Sequence, residues 1–213
     1  MPKEKKTLKL EGRIIFLATG NFHKFNETRR VLAEYDIASA MLRVKAIEIQ
    51  SDSLEEIAKA SVIDAFNRCH LPVIVEDAGL FVDALKGFPG PYAAYVYKTI
   101  SNPGLLKLMK NVKERRATFR SVIAYHDGQG EPRCFEGEAV GRIAHDEIWG
   151  KLNTGFGFDP IFQPMGSEKT FAEMTIEEKN GFSHRANAVR KFAKWYTAGK
   201  AKQSCSWDYF ERL

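Results

Sequence analysis

The chain predicts an α/β fold built on a mixed β-sheet, and three stretches carry that prediction. Arg13 to Ala18, with Ile14, Ile15, Phe16 and Leu17 in succession, reads as a buried strand that passes through Gly20 into a helix over 21–35. Val73-Ile74-Val75 is a second, β-branched strand. Thr118 to Tyr125 and Arg133 to Ile143 flank Asp127-Gly128-Gln129-Gly130, a hairpin signature that makes part of the sheet antiparallel.

The other elements follow in order. The first helix presents Phe25, Thr28, Leu32 and Tyr35 on one face. A second helix starts at Ser53, whose hydroxyl caps it while Glu56 completes a capping box; Leu54, Ile57, Ala58, Ser61 and Ala65 form its inner stripe, and it ends before Pro72. The strand at Val73 then ends at Val75 and delivers Glu76 and Asp77 to its C-terminal edge, where α/β sheets usually bind ligands. Gly87 to Tyr92 is a turn-rich loop, and Asn102-Pro103-Gly104 precedes a helix from Leu105 to Lys113. Beyond the hairpin, Thr175 and Glu178 make another capping box, and Ser183 caps a last helix whose buried face is Val189, Phe192, Ala193 and Tyr196. No linker splits the chain, so residues 1–213 are expected to form one domain, with the basic N-terminus (1–12) and the tail (199–213) peripheral.

Composition excludes several classes. No apolar run approaches the roughly 20 residues of a membrane span, and Lys3, Lys5, Lys6 and Lys9 lead into no signal-peptide core. The expectation is a soluble, cytoplasmic protein. Three cysteines, Cys69, Cys134 and Cys205, have no metal-ligand spacing and make an odd count, against a disulfide scaffold or a zinc site. The net charge of +5 is spread over interspersed acids and bases, which favours an anionic partner only weakly.

Four constellations can carry chemistry. In Thr19-Gly20-Asn21-Phe22-His23-Lys24, the turn leaves helix-start amides free for phosphate oxygens, and Thr19, Asn21 and Lys24 add side-chain donors. The plain alternative is an ordinary turn with Asn21 as N-cap and Lys24 in solvent. Glu76 and Asp77 can hold magnesium, an oxygen-seeking ion that shares its shell with phosphates, with Glu48 as a further ligand. Successive strand residues point to opposite faces, so the two acids should do different jobs, and Asp77 is the favoured one. Gly155-Phe156-Gly157-Phe158-Asp159-Pro160 offers two rings for stacking on a flat base and a rigidly held acid, or else two core rings and a capping Asp. Lys179, His184 and Arg185 gather at a helix start and suit a polyanion carrying a polar ring, unless they simply face water.

Taken in order, TGNFHK, VEDAGLFVDALKGFPGPY, FGFDPIF and KNGFSHR resemble the inosine triphosphate pyrophosphatases. The resemblance implies an elongated mixed sheet flanked by helices, with two lobes around a central nucleotide-binding cleft. It also implies a homodimer and magnesium-dependent hydrolysis of ITP, dITP and XTP to the monophosphate and pyrophosphate. No membrane or stable nucleic-acid partner is expected. By motif, Thr19, Gly20, Asn21, Phe22, His23 and Lys24 would form the triphosphate side, Glu48 and Asp77 would serve the metal, and Asp77 would accept a proton from water. Ala78, Phe156, Gly157, Phe158, Asp159, Lys179, His184 and Arg185 would complete the substrate contacts. Ala78 and Ala93 stand where many relatives carry a hydroxyl.

Overall fold

A computed structural model describes residues 6–10, 13–44, 46–151, 155–199 and 205–209. Its main sheet has the order β3-β2-β4-β6-β7-β8, with β5 added on β4. Strands β2 (Ile14–Ala18), β3 (Ala38–Leu42) and the start of β4 (Val73–Val82) run parallel. Strands β6 (Arg116–His126), β7 (Arg133–Ile143), β8 (Phe162–Pro164) and the two-residue β5 (Pro89–Gly90) are antiparallel to their neighbours. The mixed α/β sheet flanked by helices is therefore observed. A separate two-stranded ribbon pairs β1 (Lys6–Leu10) with β9 (Cys205–Tyr209).

Helix α1 (Phe22–Ala33) starts where Asn21, in an extended conformation, accepts hydrogen bonds from the amides of His23 (2.9 Å) and Lys24 (3.1 Å). Two of the donors a helix start leaves unpaired are thereby satisfied. Helix α2 (Leu54–Cys69) begins at Ser53 as expected and ends before Pro72, and Leu54, Ile57, Ala58, Ser61 and Ala65 are all buried. The reciprocal half of its capping box is replaced: Glu56 accepts from the Ser51 hydroxyl at 2.6 Å.

Two boundaries differ from expectation. Strand β4 does not end at Val75 but continues to Val82, paired with β6 along its whole length. The cause is legible afterwards: Leu80 and Val82, both fully buried, resume the strand's alternation beyond the acids. Because β2 pairs with β4 only at Phe16↔Val73 and Leu17↔Ile74, Glu76 and Asp77 still lie past the end of that parallel neighbour. The helix expected over 105–113 is found earlier, as α4 (Ser101–Leu108), and is preceded by an unexpected α3 (Ala93–Thr99), the two separated by the left-handed backbone of Ser101 (φ 57°). Pro103 fits there because a helix's first turn does not need its amide.

The sheet's two faces are packed differently. On one, Val73, Val75, Val122 and Ala124 meet Leu54, Ala58, Val62 and Ala65 of α2. On the other, Ile15, Leu17, Ile74 and Ile123 lie under α1 and α6 (His184–Gly199). Farther along that second face, Leu80, Val82 and Phe119 meet Phe158, Phe162 and Phe171. Alternation places Glu76 on this face, between two apolar clusters, and turns Asp77 to the other.

Helix α6 is pressed onto β7 at Gly137, where an added Cβ would lie 2.1 Å from the His184 carbonyl oxygen and 2.3 Å from the Ala188 nitrogen. Gly137→Ala is therefore expected to push the helix start off the sheet at a cost of about 1–3 kcal/mol, lowering Tm by roughly 2–4 °C per kcal/mol. Calorimetry measures this, and an unchanged Tm would contradict the contact. Cys69 and Cys134 are free thiols, and among the described residues no helix is long and apolar enough to cross a membrane.

Candidate active site

Members of all four predicted constellations come together from the switch between parallel and antiparallel pairing outward. At the start of α1, the Thr19 hydroxyl accepts from the Asn21 amide at 3.1 Å. The chain bends at Gly20 without a left-handed backbone, and the space beside it is open, with nothing within 4 Å of an added Cβ. Phe22 is largely exposed. Lys24 does not point into solvent: its Nζ lies 2.8 Å from the Glu76 carboxylate and donates to the Glu76 carbonyl at 3.2 Å.

Lys24 is one end of a run of alternating charge. Glu76 accepts from the Ser121 hydroxyl at 2.6 Å and lies 3.1 Å from Nε of Arg185. Arg185 also donates to Glu27, whose other oxygen accepts from Lys179 at 2.7 Å. Lys179 donates in turn to Asp159 at 2.7 Å. Three acids thus alternate with three bases from Lys24 to Asp159, so formal charge cancels along the run. Only Lys24 has appreciable side-chain exposure. The water-facing alternative for Lys179, His184 and Arg185 is overturned, because the caps at Thr175 and Ser183 place all three inward.

The electrostatics follow from burial and pairing. Burial alone would raise the Glu27 carboxyl, but Lys179 and Arg185 outweigh it and hold it at about 2. Burial disfavours charge on Lys179, yet Asp159 and Glu27 keep its pKa above the ordinary value. His184 is pushed well below its ordinary range by burial and by Arg185, so its ring is neutral. That ring lies flat on Phe119, 4.6 Å away and at 9°, and its buried Nδ1 has no hydrogen-bond partner among the described residues.

Asp77, on the opposite face, takes no part in this run. Burial pushes its carboxyl up to about 6; Lys24 opposes the shift, while Glu76 and Glu48 add to it. Its Oδ2 is buried without a hydrogen-bond partner among the described residues. Glu48 is exposed on the segment before α2, which holds that segment by its neighbour: the Ile47 amide donates to Asp64 at 3.0 Å, and the Ser61 hydroxyl donates to the Ile47 carbonyl at 2.9 Å. Among the described residues no group of three or more His, Cys, Asp or Glu could hold a metal ion. A partnerless carboxylate oxygen with a second acid nearby nevertheless suits a cation that takes one or two protein carboxylates and fills its shell with phosphate and water.

The two rings of the Gly155 to Pro160 stretch separate. Gly157, at φ 60°, turns the chain, so that Phe158 enters the core against Tyr97 while Phe156 faces Lys179 and Arg185. Phe158 is therefore a core ring and not a second stacking surface. Asp159 is not a helix cap: its Oδ2 ties back to the Phe156 amide, accepting at 2.9 Å, and also accepts from Lys179. Ala78 shares the Glu76 face and stands opposite Ser121. Two cavities of about 940 and 320 Å³, one beside Arg142 and Met165 and one at the start of α2, contain none of the predicted site residues.

Glu27, the centre of the run, was not anticipated. Its signal was available: a lone acid beside Thr28, Val31 and Leu32 on the buried face of α1, three residues after Lys24.

A lysine in the first turn of a helix, a partnerless carboxyl oxygen across the strand, and buried polar groups beyond them suit an α/β protein that handles phosphate groups. The chain belongs to the Ham1 family, whose model matches residues 15–195. It is 47% identical over 182 residues to a dITP/XTP pyrophosphatase of Methanopyrus kandleri, covering 85% of this chain and 95% of that protein. A dITP/XTP pyrophosphatase of Thermococcus kodakarensis is 49% identical over 177 residues, 83% of this chain and 94% of that one. Among solved structures, the Ham1 protein of Staphylococcus aureus superposes with a TM-score of 0.74 at 30% identity, covering 88% of this chain and all of that one. A HAM1 protein from Coxiella burnetii gives the same TM-score and coverage at 27% identity.

Proposed function

We propose that this enzyme hydrolyses non-canonical purine nucleoside triphosphates, ITP, dITP and XTP, to the nucleoside monophosphate and pyrophosphate, clearing them from the nucleotide pool. The observation that carries the reading is Asp77, a buried carboxyl raised to about 6 with one oxygen unpartnered, next to the lysine of an open helix start. The names of the related pyrophosphatases support it.

In this reading the amide at Gly20, the Thr19 and Asn21 side chains and Lys24 bind the triphosphate. Lys24 exchanges part of its contact with Glu76 for phosphate oxygens. Asp77 orients the attacking water at the α-phosphorus and accepts its proton, a task for which its buried Oδ2, without a partner among the described residues, is available. Asp77 and Glu48 would hold magnesium, which when bound neutralises charge on the pyrophosphate leaving group.

On the other side, Phe156 receives the base, while Asp159 and Lys179 fix the loop that carries it. The donors of Arg185 and the neutral His184 select a 6-oxo purine. Adenine's 6-amino group would leave a buried donor unpaired, at a cost of about 1–3 kcal/mol, or roughly tenfold to hundredfold in rate. A homodimer in the cytoplasm belongs to the same reading.

A panel of nucleoside triphosphates, with and without magnesium, tests it. The expected result is pyrophosphate from ITP, dITP and XTP with magnesium present, and at least tenfold slower release from ATP. Orthophosphate as the first product, or equal rates on ATP, would overturn it. A competing reading of the sequence, a basic nucleic-acid-binding module using Lys107 to Arg116 and the N-terminal lysines, is weakened because Arg115 is already bonded to the carbonyls of Met109, Ile143 and Ala144 at 2.7–2.9 Å.

A further inference from the structure

Phe156 is the point where the two halves of the site touch. Its ring lies 5.1 Å from the His23 imidazole at an angle of 23°, and Lys179 Nζ and Arg185 Cζ are 4.8 and 5.5 Å from its centroid. Of these neighbours only His23 can leave. Lys179 and Arg185 are buried and locked by Glu27, Asp159 and Glu76. Phe156 is itself tethered, through its own amide to Asp159 and through the Gly157 carbonyl, which accepts from the buried Asn102 amide at 3.3 Å. The His23 imidazole is exposed and makes no hydrogen bond or ion pair among the described residues; only its backbone is held, by Asn21.

A base cannot slip between the two rings as they stand. Intercalation needs two stacking separations of about 3.5 Å each, roughly 7 Å in all, well beyond the 5.1 Å observed. We infer that His23 is a placeholder for the purine: its imidazole covers the stacking face of Phe156 in the nucleotide-free enzyme and swings out when the base arrives. His23 thereby sets the affinity for substrate without touching the reacting atoms. The inference rests on the reading that Phe156 receives the base.

The cost of uncovering Phe156 appears in KM, because affinity is reduced by the fraction of molecules already open. For an aromatic pair of this kind the reduction is about two- to tenfold. His23→Ala should therefore lower KM for ITP by about two- to tenfold, where a His23 that held the triphosphate, as the resemblance implies, would raise it, and His23→Phe, which stacks more strongly, should raise KM. In a Phe156→Leu background the His23→Ala effect should vanish. By NMR, the His23 ring protons should lie upfield in the free protein and shift back on addition of inosine monophosphate. An unchanged KM in His23→Ala would overturn the inference, as would a raised one, which means that the imidazole contacts substrate directly. Failure of the unmodified protein to turn over ITP would sink the functional reading instead. The ring-proton shifts of the free protein, compared with those of Phe156→Leu, would still decide whether His23 covers that ring.

Discussion

Asp77→Asn is expected to lower kcat for pyrophosphate release from ITP by about 10²–10⁴, the range for loss of a positioned proton acceptor, while leaving the protein folded. The two halves of that expectation come from the same environment. Asp77 is outside the alternating run, so replacing it breaks no ion pair. Its carboxyl is raised from 3.8 to about 6, so the stability it contributes is fully present below its unfolded value and is lost as pH rises through about 6. At pH 8 the buried ionised form is a burden, and the asparagine variant should melt at or above the parent's Tm. Activity lost with stability kept or gained separates a chemical role from a structural one. Near-normal turnover would remove Asp77 from its assigned role, and a lower Tm would mean that its buried surroundings have been misread.

Glu27→Ala should have the largest effect on stability, about 3–5 kcal/mol, because it leaves two buried cations short of a partner. Lys179 keeps only Asp159, and Arg185 keeps only Glu76. The sign with pH is opposite to that of Asp77. Glu27 is depressed from 4.5 to about 2, so its stabilisation is present above its unfolded value and disappears as pH falls toward 2. Denaturant unfolding at pH 7, repeated down to pH 3, measures both the cost and the slope. A cost below about 1 kcal/mol would mean that the run of charges adds nothing net. Glu27→Gln, which keeps the shape but not the charge, should fall between the two.

Much of this was legible in the sequence because it rests on local rules. Asn21, Ser53, Thr175 and Ser183 mark helix starts through the donors they satisfy, and Asp127 to Gly130 marks the hairpin through its turn chemistry. Those caps put Lys24, His184 and Arg185 at helix starts, where they are found, whereas Lys179 falls in the last turn of the short helix Ile176–Asn180 and not at a helix start. The length of β4 was hidden because Glu76 and Asp77 look like a strand's end; only pairing with β6 makes a buried acid tolerable mid-strand. The break between α3 and α4 was hidden because it depends on a left-handed Ser101, a residue with no such preference.

The least legible feature was the run from Lys24 to Asp159. Its members lie far apart in sequence, as with Glu27 and Lys179, and no periodicity connects them. A basic cluster read alone looks solvated; only the three acids facing it explain its burial. That burial turns the helix start of α6 from a surface charge patch into a fixed wall of the site. Glu27, which neither motif nor spacing singled out, holds that wall to α1.

Hydrolysis in oxygen-18 water tests the central claim most directly, because it shows where the attacking oxygen goes. With ITP and magnesium, attack at the α-phosphorus predicts one heavy oxygen in inosine monophosphate and none in the released pyrophosphate. Label in the pyrophosphate, or in orthophosphate, would place attack at another phosphorus and contradict the role assigned to Asp77.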